Sequence, residues 1–155
     1  MVRIAETGCD SSTDREQVSS HPSNISELRK KHYDSRIIIA GTRGFSDVGW
    51  FRKTLTDYLV KEHKGKHIAF ISGDAPSGAD NLIIKWCELT PFECYKFTAK
   101  WNELGKRAGF LRNDDMSYEA SHLLTYWDGQ SPGTKDMIKR AEERGLIIHN
   151  VNIKL

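Results

Sequence analysis

From Arg36 onward the chain alternates short β-branched runs with stretches of helical periodicity, and that alternation constrains the fold more than any other feature. "RIIIA" at 36–40 is a β-branched run that ends in glycine, as a buried strand entering a turn does. Val48, Phe51, Leu55, Tyr58 and Leu59 then recur at helical spacing, with Asp47 placed to cap them. "HIAFI" is a second strand, and Leu82, Ile83 and Trp86 mark one face of a second helix. "FECYKF" follows the breaker Pro91 as a third strand, and a long helix is predicted from about Trp101 to Tyr118. "HLLTYW" is a fourth strand, residues 133–144 a fourth helix and "LIIHNVNI" a fifth strand. Strands that alternate with helices pair in parallel, because right-handed crossovers lay the helices on both faces of one sheet. The expected fold class is α/β: a Rossmann-like three-layer sandwich of about five mostly parallel strands flanked by helices.

Residues 1–34 differ in kind. They are rich in Ser, Asp, Glu, Lys and Arg, with scattered aliphatics such as Val18, Ile25 and Leu28. So little apolar surface does not offset the entropy of ordering, which predicts a flexible N-terminal extension. Within it, "SNISELRKKH" has the makings of a turn or two of helix, capped by Ser26 or Asn24. The domain is then expected over residues 35–155.

Composition narrows the function. The 155 residues suit one domain, and no apolar run approaches the ~20 residues a bilayer span needs. The N-terminus has no basic stretch followed by an apolar one, so the expected location is the cytoplasm. A formal net charge of +2 and no basic face disfavour DNA as a partner. Cys9, Cys87 and Cys94 lack metal-site spacing, and Cys87 and Cys94 read as core thiols. The scattered histidines read as structural or solvated. No Walker A loop, G-x-G-x-x-G, G-x-S-x-G or H-E-x-x-H occurs, so no metal and no cofactor is implied.

In open α/β sheets, ligands bind outside the carboxyl ends of the strands. That rule selects four segments. The first, "GTRGFSD", offers Gly41 for close backbone approach, Thr42, and Arg43 for a bidentate phosphate contact. The second, "SGDAPSGAD", holds Gly73 and Gly78 around a short excursion, then Asp80. Asp80 reads equally well as a helix-dipole partner and as an acceptor for a ribose hydroxyl. In the third, "AKWNELGKRAGFLRNDDM", Lys106 and Asn113 fall on one helical line with Arg112 beside them. Gly105 and Gly109 there suggest a bend or a close backbone approach. Trp101 reads as core first and as a base-stacking ring second. The fourth, "WDGQSPGTKDMI", has Gly129, Ser131, Gly133 and Thr134 around a helix start whose free amides suit a phosphate.

Together these strings resemble the YspA-type branch of the SLOG superfamily, in order over about residues 36–146. SLOG domains are Rossmann-like and include DprA proteins and the LOG phosphoribohydrolases. The resemblance implies a nucleotide or nucleotide-derived ligand, such as a nucleoside monophosphate or an ADP-ribose-like molecule, and a bacterial or phage setting. It is compatible with a homodimer built on exposed Trp50 or Trp86. Two departures stand out. Asp74 replaces the second glycine of the family's S-G-G-A-x-G-A-D, and Met137 stands where the LOG motif carries its catalytic glutamate. A thioether cannot stabilise an oxocarbenium-like charge, so the LOG mechanism does not transfer intact. Two functions are expected as alternatives: a binding module that senses or sequesters a nucleotide, and an N-glycosidase that cleaves the base from a (deoxy)nucleoside 5′-monophosphate. The latter would need a carboxylate. Asp74 and Asp128 are the first candidates, with Asp80 and Glu103 behind them.

Overall fold

The structure is a computed structural model that describes residues 25–154. Five strands form one parallel sheet: β1 (Ser35–Gly41), β2 (Ile68–Ser72), β3 (Glu93–Lys96), β4 (His122–Trp127) and β5 (Ile147–Asn152). Their spatial order is β3-β2-β1-β4-β5. The helices are α1 (Ile25–Lys30), α2 (Val48–Glu62), α3 (Ala79–Glu88), α4 (Trp101–Leu104), α5 (Arg107–Glu119) and α6 (Pro132–Glu143). This is the expected α/β Rossmann-like sandwich. The direction in which successive strands are added to the sheet reverses between β1 and its parallel neighbour β4.

The two-residue period of a strand sorts the central residues onto two faces. Ile37 and Ile39 of β1 point to one layer, where Phe51 and Leu55 of α2 and Ile83 of α3 cover them. Ile38 and Ala40 point to the other, against Met116 of α5 and Met137 and Ala141 of α6. The residues at 37, 38, 39, 70, 71, 123 and 124 are fully buried. Each such aliphatic or aromatic side chain contributes roughly 1.5–3 kcal/mol. Asp47 caps α2 by accepting from the Trp50 amide at 3.0 Å, as its position implied.

The domain begins earlier than residue 34. Ile25 and Leu28 of α1 are buried in the second core layer, and Tyr33 joins them. The Leu28 carbonyl accepts from Arg36 at 2.9 Å, and Arg29 pairs with Glu119 at 2.7 Å. Tyr33 hydrogen-bonds Tyr95 at 2.7 Å and donates to Glu93. Two apolar residues three apart are too few for a periodic signal, so the helix is identified by tertiary packing rather than by pattern. The remainder of the expected extension, residues 1–24, lies outside the described residues, as does Cys9.

The long helix expected from Trp101 is also two pieces. Gly105 adopts φ +61° and ψ −140°, which ends α4 after one turn, and α5 restarts at Arg107. Trp86 is half-buried rather than exposed, stacked on Phe92 with ring centroids 5.3 Å apart and set edge-on to Phe70. It is therefore a core residue of α3, while Trp50 stays 43% exposed.

Cys87 is buried in the first core layer with Cys94 packed against it. A hydrogen bond with Cys94, together with burial, pushes the Cys87 thiol far up, so it is no nucleophile. His63, at the end of α2, bonds the Ser35 hydroxyl at 3.0 Å, and burial pushes it down to about 4. It is a neutral structural histidine at physiological pH. No described helix is long and apolar enough to cross a membrane.

Candidate functional site

The loops after β1 and β4 are laid against each other by the sheet. The Thr42 amide donates to the Tyr126 carbonyl at 2.9 Å, and the Asp128 amide donates to the Thr42 hydroxyl at 3.1 Å. Phe45 donates its amide to the Thr42 carbonyl at 3.1 Å and stacks its ring on Tyr126. That anchors the loop on the core and leaves Arg43 and Gly44 exposed above the strand ends. Gly41 has to be glycine, since a Cβ there would run into the Tyr126 carbonyl oxygen.

The loop after β2 packs backbone to backbone on the first. At Gly78, φ is +75° and ψ −160°, a region open essentially to glycine alone. A Cβ there would lie 2.6 Å from the Thr42 carbonyl oxygen and 2.9 Å from the Arg43 Cα. Just beyond, α3 starts and presents Asp80, a buried carboxylate. One of its oxygens accepts the Ala75 amide at 3.2 Å. Arg112 reaches over from α5, donating to the Gly73 carbonyl and, through Nε, to Asn113 at 3.1 Å. Gly73 leaves room for this arrangement: a Cβ would come within 2.7 Å of the Arg112 guanidinium and 2.8 Å of the Asp80 carboxylate.

The fourth segment is held by Asp128 and Asn113. Asp128 accepts the Gln130 and Ser131 amides, each at 2.9 Å, which shapes the turn into α6. Pro132 occupies the first turn of α6, where its missing N–H is no loss. Asn113 donates to the Gly133 carbonyl at 3.2 Å and to Asp136 at 3.0 Å, clamping α6 to α5. The first amides of α6, including those of Gly133 and Thr134, have no partner within the helix.

Between these parts lies a cleft of about 620 Å³ at the β1/β4 reversal. Its walls include eleven of the sequence candidates: Gly41, Thr42, Arg43, Asp80, Lys106, Arg112, Asn113, Asp128, Ser131, Gly133 and Thr134. Five other candidates do not line it. Gly73, Gly78 and Gly129 shape the loops from behind. Asp74 turns away, accepting from the Thr98 hydroxyl at 2.8 Å with its backbone at φ +60°. Its carboxylate is engaged by β3's trailing loop, so it does not supply an acid to the cleft. Glu103 is exposed on α4 and does not line the cleft either.

The charges in the cleft are tuned by burial. Desolvation pushes the Asp80 carboxyl up, and the Arg112 charge opposes that rise. Desolvation likewise lowers Arg112, with Asp80 holding it up and Arg43 adding like-charge repulsion. Arg112 remains a cation throughout the physiological range. The Gln130 and Ser131 amides hold Asp128 below the usual carboxylate range, so at neutral pH it is an ionised acceptor and not a proton donor. Chemically, the cleft can seat an anion on the α6 amides with Lys106 and Arg43 nearby, and can accept hydrogen bonds from hydroxyls through Asp80.

One wall residue, Phe110, lies outside the sequence reading, and another, Trp101, departs from its first reading as core. Trp101 is 46% exposed on the cleft wall, not in the core, and Phe110, on the wall of the same cleft, is 42% exposed. The signal for Trp101 was present: an aromatic residue in front of two helix-breaking glycines, Gly105 and Gly109. Met137 is 1% exposed and forms part of the cleft floor, packed in the second core layer. A glutamate there would need room and partners that this floor of aliphatics does not offer.

The chain is 29% identical over 126 residues to the Gene 61 protein of Mycobacterium phage D29, covering 77% of this chain and 98% of that protein. No family model and no solved structure matches the chain.

Proposed function

We propose that this protein binds a nucleotide or nucleotide-derived ligand at the carboxyl ends of its strands, as a SLOG-type sensor or sequestering module. One observation carries the reading. A cleft of about 620 Å³ at the β1/β4 reversal brings together Arg43, Lys106, Arg112, the start of α6 and a buried aspartate. That size falls within the ~300–1,000 Å³ typical of small-molecule sites. The phosphate rests on the Gly133 and Thr134 amides, where the helix dipole favours negative charge. Lys106 and Arg43 complete the anion seat. Asp80 accepts a sugar hydroxyl, and Asp128, spent on shaping the α6 turn, keeps the seat in register. The relative in a mycobacteriophage is compatible with the setting that the SLOG resemblance implies.

The N-glycosidase alternative is weaker on this geometry. Asp74 faces Thr98, and Met137 occupies the floor position that a catalytic acid would need. Asp128 and Asp80 are the carboxylates left to it on the cleft wall, Asp128 ionised and Asp80 buried with its carboxyl pushed up. The test is calorimetric titration with ribo- and deoxynucleoside 5′-monophosphates and ADP-ribose, with each mixture then chromatographed for free base. Saturable binding without base release is expected. Base release that disappears in Asp128→Asn would replace the binder with the glycosidase, and no heat with any of these ligands would refute both.

A further inference from the structure

We infer that Trp101 is a stacking wall for an aromatic base, so that the ligand class is a nucleotide with its base present rather than a bare sugar phosphate; this rests on the nucleotide reading above. Three observations point there. Trp101 leaves 46% of its surface exposed on the wall of the cleft. Its position is fixed: the Arg43 guanidinium sits over the ring at 5.6 Å, and Gly109 gives its edge room, since a Cβ at 109 would come within 3.0 Å of the indole. Phe110, 42% exposed on the wall of the same cleft, adds apolar surface.

A single exposed ring needs no partner, but two large aromatic rings exposed on the wall of one cleft make an apolar surface of the kind that marks a ligand site. A core role does not account for Trp101, since nearly half of it is exposed and it belongs to neither core cluster. Arg43 prepares the ring in two ways. It holds the indole by cation–π attraction, and its charge lies near the anion seat, so that ring and seat keep a fixed relation. The one-turn helix α4, ended by the left-handed Gly105, sets the ring beside the cleft at little entropic cost on binding. Base stacking is tolerant of sequence because every base has a π-face, so Trp101 selects for a base without choosing among bases.

The experiment titrates wild type, Trp101→Ala and Trp101→Phe with adenosine 5′-monophosphate and with ribose 5-phosphate. Trp101→Ala is expected to weaken the nucleotide about ten-fold or more and ribose 5-phosphate by no more than about two-fold, with Trp101→Phe recovering most of the loss. Equal weakening of both ligands, or an unchanged nucleotide affinity, would overturn the inference. Equal affinity of wild type for the two ligands would overturn it too and leave the binding cleft standing. Failure of both ligands to bind wild type would remove the cleft reading and this inference together.

Discussion

Arg112→Ala is expected to lower the free energy of unfolding by about 1.5–3 kcal/mol at neutral pH, because it removes a charged hydrogen-bond donor and the larger of two cationic influences on the buried Asp80 carboxyl. Arg112 donates to the Gly73 carbonyl and to Asn113, so the loop after β2 and the clamp on α6 loosen with it. The two contributions separate by pH. Burial raises the Asp80 carboxyl in the folded state, and Arg112 opposes that rise. A carboxyl raised on folding binds more protons in the native state, so its effect is a loss of stability as pH rises from the unfolded value, about 3.9, through the folded one. Without Arg112 the folded value moves further up and the loss deepens. Urea unfolding should therefore show a deficit against wild type that is largest at neutral pH and shrinks on acidification. Asp80→Asn in the same background should recover part of it. A deficit independent of pH, and untouched by Asp80→Asn, would mean that Arg112 acts through its hydrogen bonds alone.

The second large effect is expected at Gly78. Gly78→Ala carries backbone strain of about 1–3 kcal/mol for its φ and ψ, and displacing the overpacked loop adds a further 1–3 kcal/mol or so. The atoms a Cβ would meet are backbone, the Thr42 carbonyl oxygen and the Arg43 Cα, and neither can rotate aside. Shifting them moves Arg43 and the Thr42 hydroxyl that receives the Asp128 amide. Stability and ligand binding should fall together. Gly129→Ala is the control, with φ +85° but open space where its Cβ would go. It should show the strain without the collision, and keep a larger share of both properties. Equal denaturation midpoints for the two variants would show that the contact between the loops after β1 and β2 contributes nothing.

Much of this fold can be read in the sequence because the β-branched runs are short, buried and bounded by glycine. "RIIIA", "HIAFI" and "HLLTYW" fall in the three central strands, where both faces are covered and polarity alternation gives way to continuous apolar runs. The strand-end rule then locates the cleft without any motif. What escaped detection has tertiary causes. α1 packs with only Ile25 and Leu28, too few for a periodic signature. Trp101 and Trp86 exchange their expected environments, because exposure depends on which helix face meets the sheet and not on residue type. Asp74 resembles a site residue by its position in a glycine loop, yet its left-handed backbone turns the carboxylate toward Thr98. Composition does not report that rotation.

The binding of a nucleotide at the strand ends is tested most directly by nuclear magnetic resonance of the ¹⁵N-labelled protein, titrated with adenosine 5′-monophosphate. Saturable amide shifts are expected at Gly44, Gly133 and Thr134, with a perturbed Trp101 indole N–H. The amides from Arg29 to Arg36, at the opposite end of the sheet, should stay in place. Shifts confined to that opposite end, or no shift anywhere at millimolar ligand, would contradict nucleotide binding at the strand ends.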